Sequence, residues 1–86
     1  MGTVAITFRI LPEDADVDIE GLKASVRDAL GASLRDMQER PVAFGIKAIE
    51  AIAVVDDAAG GSDALERSLA EVPGVGTVET IDVTLV

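Results

Sequence analysis

The sequence predicts an α+β sandwich of a single domain, residues 1–86, with its elements in the order β-α-β-β-α-β. Three observations carry this. Residues 3–11 alternate, with Val4, Ile6, Phe8 and Ile10 in one phase and Thr3, Ala5, Thr7 and Arg9 in the other, the pattern of a strand covered on one side. Two later segments, beginning at Ile19 and near Asp63, repeat apolar side chains at the spacing of a helix face. Between them, residues 46–55 form the most apolar stretch in the chain, rich in Ile and Val, as a central strand would be.

In chain order, Pro12 closes the first strand because it has no N–H to donate. Residues 13–18 carry four acids, read as solvated loop carboxylates, with Asp18 placed to accept a backbone N–H at a helix start. From Ile19 the stripe Ile19, Leu22, Val26, Ala29 and Leu30 defines the first helix, and Gly31 stops it. Residues 33–39 read as an edge strand. Leu34 and Met37 do not alternate there, but the charges suit an edge.

Residues 40–57 organise the rest. Pro41 biases Arg40 toward an extended backbone, Gly45 permits a bend, and Phe44, one of two aromatic residues in the chain, lies between them. This is a hairpin loop feeding the central strand. In that strand Ile49, Ala51, Ala53 and Val55 point one way. Ile46, Ala48, Ile52 and Val54 point the other, with Glu50 the polar residue among them.

The segment 56–63 invites two motif readings. Gly60-Gly61-Ser62 lacks the lysine and spacing of a phosphate loop. Asp56, Asp57 and Asp63 lack the terminal bidentate glutamate of a calcium loop. The simpler reading is a strand-to-helix turn capped by Ser62 or Asp63, with Glu66 at the offset of a capping box. Leu65, Leu69 and Val72 give the second helix its apolar stripe, and Pro73-Gly74 ends it. The last strand starts near Thr77, with a change of phase near Thr80 that predicts a bulge.

One apolar stripe per helix places both helices on the same face of the sheet. Right-handed crossovers and a tight hairpin between strands two and three then give a ferredoxin-like sandwich with an antiparallel sheet in the order 4-1-3-2. The other sheet face stays open. Its apolar residues Ile46, Ala48, Ile52 and Val54 suit weak self-association or a partner.

Composition excludes several functions. There is no cysteine and no histidine, so no thiolate metal site and no imidazole base. No cofactor is expected. The net charge is −9 with scattered Lys and Arg, which argues against direct nucleic-acid binding and favours a basic partner. No uncharged stretch approaches the roughly 20 residues of a membrane span. No basic and apolar leader opens the chain, so a cytoplasmic location is expected.

Local sequence then narrows the function. The segments Pro41-Val42-Ala43-Phe44-Gly45-Ile46-Lys47, Val54-Val55-Asp56-Asp57 and Gly61-Ser62-Asp63-Ala64-Leu65-Glu66 resemble the signature of the translation elongation factor one-beta family. The opening Val4-Ala5-Ile6-Thr7-Phe8-Arg9-Ile10-Leu11-Pro12 and the segment from Asp16 to Lys23 fit as well. The likeness runs the length of the chain, and its bare size looks like the archaeal form. The resemblance implies the same ferredoxin-like fold and a guanine-nucleotide exchange factor for the GTPase elongation factor one-alpha, with no catalytic residue of its own. It implies that Phe44 matches the aromatic that inserts into the GTPase, with Pro41, Val42, Gly45 and Lys47 around it as partner contacts. In the eukaryotic branch a lysine beside the C-terminal residue disturbs the magnesium site. Here Leu85 stands at that place as the candidate second contact and cannot supply a charge, which leaves three readings open: exchange relies more on the Phe44 loop, another group disturbs the magnesium, or activity is weak. The rival readings are a homo-oligomeric regulatory or small-ligand-binding domain of the same fold, and an acylphosphatase. The latter is set aside because the chain contains no asparagine.

Overall fold

The computed structural model describes residues 2–42, 45–56 and 61–85, with side chains from 63 onward in the last segment. The elements run β1 (Thr3–Pro12), α1 (Ile19–Leu30), a 3-10 turn (Gly31–Ser33), β2 (Leu34–Pro41), β3 (Lys47–Asp56), α2 (Gly61–Ala70) and β4 (Val75–Leu85). The strands form one antiparallel sheet in the order β2-β3-β1-β4, the predicted 4-1-3-2. Both helices pack on one face of it, so the ferredoxin-like sandwich stands.

The alternation in β1 does what the pattern dictates. Val4, Ile6, Phe8 and Ile10 are buried and every residue between them is partly exposed. Across the β1–β3 ladder Phe8 lies opposite Ala51 and Ile6 opposite Ala53. The small partners on β3 leave room for the large ones on β1 under the helices. Leu22, Val26 and Leu30 of α1 and Leu69 of α2 complete the buried cluster, with Leu65 and Val72 half-buried against it. Each such aliphatic side chain contributes about 1.5–3 kcal/mol on full burial.

Both irregular strands owe their irregularity to bulges. The β2–β3 register shifts between Leu34 and Asp36. Arg35 is the extra residue, which is why Leu34 and Met37 both pack toward the core although their spacing is odd. In β4 the register shifts at Ile81, between the pairs Thr7–Asp82 and Phe8–Thr80, beside the residue where a phase change was expected. A second shift skips Gly76.

Several local expectations need correction. Asp18 occupies the N-cap position of α1 but makes no side-chain capping bond. The first turn is closed instead by Leu22 N–H donating to the Asp18 carbonyl at 2.9 Å. Ile19 is half-buried and outside the core cluster, because the first helical residue overhangs the cleft beside the β2–β3 hairpin. Asp63 lies in the first turn of α2, two residues after its start at Gly61. Its carboxylate therefore complements the helix dipole rather than capping the helix. Gly31 does end α1, at φ 55° with its N–H on the Arg27 carbonyl.

Candidate functional site

The β2–β3 hairpin is built from residue types that hold a projecting loop. Pro41 pairs with Lys47 at the end of the ladder. Beyond it Val42 N–H donates to the Ile46 carbonyl at 2.8 Å, which closes the five-residue loop 42–46. Gly45 has φ 75°, in the left-handed region that non-glycine residues adopt at a cost. Open space surrounds the position a Cβ would take there, so backbone conformation and not crowding calls for glycine. Pro41, Val42, Gly45 and Lys47 are all exposed, as a contact surface requires. Ala43 and Phe44 lie outside the described residues, and the expectation placed on Phe44 lies there with them.

Two recesses flank this loop. On the helix side a cleft of about 290 Å³ runs between the 13–18 loop, the start of α1 and the hairpin, with Asp14, Asp18, Glu20 and Glu39 among its walls. On the open sheet face a groove of about 360 Å³ is floored by Leu11, Val42 and Ile46 and edged by Arg9 and Glu79. Ile46 borders both, so the loop stands between an acidic recess and an apolar one.

An ion-pair chain fixes the base of the hairpin. Glu39 on β2 accepts a hydrogen bond from Lys23 of α1 at 3.0 Å and lies 3.7 Å from Lys47 of β3. Lys23 also reaches Glu20 at 3.5 Å. The hydrogen bond from Lys23 holds the Glu39 carboxyl below the usual carboxylate range. Partial burial opposes this, and the charges of Lys23 and Lys47 reinforce it. Lys23 is raised correspondingly, first by its bond to Glu39. On the open face Arg40 pairs with Glu50 at 3.4 Å.

Leu85 does not join this group. It pairs with Val4 at the other end of β1, whereas the hairpin lies beyond the Pro12 end. Eight residue steps along β1, from Val4 to Pro12, separate the two places, roughly 25 Å. Sequence reasoning missed Ile46 and Leu11 as groove residues, and Asp14, Asp18 and Glu39 as cleft residues. Only the sheet order brings these positions together. Among the described residues no group of three or more Asp or Glu could hold a metal ion. The calcium-loop reading falls largely on residues 57–60, outside the described residues. Also among the described residues, no helix is long and apolar enough to cross a membrane.

Comparison with known proteins agrees with the motif reading. Residues 5–86 match the family model of the EF-1 guanine nucleotide exchange domain. Elongation factor 1-beta of Methanoregula boonei is 48% identical over 85 residues, covering 99% of each chain. The protein of that name from Methanoculleus marisnigri is 45% identical over 86 residues, covering all of both. Among solved structures, the ACT domain of GTP pyrophosphokinase from Chlorobium tepidum superposes with a TM-score of 0.70 at 22% identity, over 95% of this chain and 90% of that one. That likeness is one of fold alone. With nearly its full length matched by one family model and by relatives of close to half identity, the chain belongs to the EF-1 guanine nucleotide exchange family.

Proposed function

We propose that this chain grips the GTPase elongation factor one-alpha with its β2–β3 hairpin, and that this grip promotes release of GDP and uptake of GTP during translation elongation. The observation that carries the reading is the family match over residues 5–86. The exposed Pro41, Val42, Gly45 and Lys47, with Val42 N–H bonded to the Ile46 carbonyl, supply the contact surface. Within it Phe44 is the anchor, an aromatic of the kind that dominates interfaces. Pro41, Val42, Gly45 and Lys47 present it.

The physical requirement is differential affinity. An exchange factor binds the nucleotide-free GTPase more tightly than the loaded one, and by linkage nucleotide and factor weaken each other by the same factor. This needs no bond made or broken by the chain, so we assign it no catalytic residue and no cofactor. Asp14, Asp18 and Glu20 in the recess beside the loop outnumber its one cation, Lys47, and suit a basic surface on the GTPase, raising the encounter rate more than the final affinity. Leu85, uncharged and at the far end of β1, would serve as a second, apolar contact on a GTPase large enough to span both. The site of action is the cytoplasm, where elongation proceeds, without direct contact to nucleic acid.

The test is release of fluorescently labelled GDP from elongation factor one-alpha with and without this chain. Acceleration supports the reading, and a release rate unchanged at saturating chain refutes it.

A further inference from the structure

The helix-facing side of β2 begins apolar and ends charged. Leu34 and Met37 pack toward the core. Glu39 follows Met37 in the same phase, opposite the fully buried Ile49 of β3. The next pair on that face is Pro41 with Lys47, and beyond it the Val42–Ile46 hydrogen bond closes the hairpin. A carboxylate therefore stands where an aliphatic side chain would have extended the core toward the loop.

Placing a charge there costs desolvation. Two lysines from different elements offset it. Lys23 of α1 donates to one oxygen of Glu39 at 3.0 Å, and Lys47 of β3 lies 3.7 Å from the other. The Lys23 and Glu39 side chains are 22% and 28% exposed, so water and salt screen this pair less than a surface one. The two kinds of contact also act differently. Apolar burial is non-directional and would hold β2 down without fixing its angle. A charge-assisted hydrogen bond adds direction.

We infer that Glu39 is a positioning residue for exchange: tied to α1 and to the foot of β3 at once, it fixes the angle at which the hairpin leaves the sheet. This rests on the reading of the hairpin as the GTPase contact. A hairpin already held in its binding position avoids the cost of ordering it on contact. Removing the Glu39 charge leaves every contact residue in place, so it weakens binding but not the release rate once the GTPase is saturated.

The test uses Glu39→Met, Lys23→Met and the double variant, each shown to be folded by circular dichroism. Methionine fills the half-buried place with an apolar side chain, an exchange that is often neutral or stabilising for buried ion pairs, so it separates position from stability. Amide hydrogen exchange of Val42 reads the hairpin without any GTPase, and the Ile6 and Ile10 amides of central strand β1 serve as controls. Val42 should exchange about two- to fivefold faster in each single variant, the range that partly exposed ion pairs support, with the controls moving less. The double variant should be no worse than the more affected single one, because both remove the same bond. In titrations of labelled GDP release, the half-saturating concentration of chain should rise by a similar factor, with the maximal rate kept. Unchanged Val42 exchange in Glu39→Met overturns the inference. So does acceleration of Val42 and the controls by one common factor, which would mark a role in stability alone, and so does a loosened Val42 with an unmoved half-saturation. A wild-type chain that leaves GDP release unchanged refutes the exchange reading instead, and the Val42 amide still decides whether Glu39 fixes the hairpin.

Discussion

Glu39 Oε2 accepts a hydrogen bond from Lys23 Nζ at 3.0 Å, joining helix α1 to edge strand β2 across 16 positions of sequence. Its other carboxylate oxygen lies 3.7 Å from Lys47, at the foot of the hairpin. One side chain thus links the helical layer, the sheet edge and the proposed contact loop.

This arrangement sets a pH dependence. Glu39 is held below its ordinary value in the folded chain, so its contribution is present above the unfolded value of about 4.3 and is lost as pH falls through the lower folded value. Lys23 is raised above 10.5. Its contribution is present below 10.5 and is lost as pH rises through the folded value. Glu39→Gln should therefore lower Tm between about pH 5 and 10, with the gap to wild type closing below about pH 4. Thermal melts across that range check this. A gap undiminished in acid would assign the effect to packing.

Phe8 is fully buried opposite Ala51. Phe8→Ala should cost about 3–5 kcal/mol in urea denaturation. Val83→Ala, at an exposed site, should stay within about 0.5 kcal/mol. Similar midpoints for the two variants would contradict the placement of the core.

Two glycines should respond differently to alanine. At Gly45 a Cβ meets open space but the φ is 75°, so Gly45→Ala should cost about 1 kcal/mol in backbone strain alone. At Gly76 a Cβ would lie 2.9 Å from the Pro12 carbonyl oxygen and 3.0 Å from Glu13 Cα. Backbone must move there, so Gly76→Ala should be the more destabilising. Urea midpoints in the reverse order would count against this geometry at the β1–β4 bulge.

Much of this fold was legible because its strongest signals are periodic. The phase of Val4, Ile6, Phe8 and Ile10 and the stripe Leu22, Val26, Leu30 each name their own buried face. The limits of β2 and the pairing of β4 were harder to read, because one extra residue at Arg35 and another at Ile81 shift the phase partway along each strand. Capping also misled. Asp18 has the right type at the right place, yet its carboxylate makes no capping bond. The hairpin could be read from Pro41 and Gly45, since turn chemistry is local. The acidic recess could not, because Asp14, Asp18 and Glu39 meet only when α1 lies across β2 and β3. Nor could the distance between Leu85 and the hairpin, which follows from the direction in which β4 pairs with β1.

The central claim is that the hairpin is the principal contact for the GTPase, and one comparison tests it most directly. Labelled GDP release from elongation factor one-alpha is measured with wild type, Phe44→Ala and Leu85→Ala, each variant shown to be folded. An anchor of this type is worth at least about 2 kcal/mol, so Phe44→Ala should weaken complex formation by roughly thirtyfold or more, with Leu85→Ala the milder change. Wild-type exchange by Phe44→Ala, together with its loss in Leu85→Ala, would place the contact at the other end of the sheet and contradict the account.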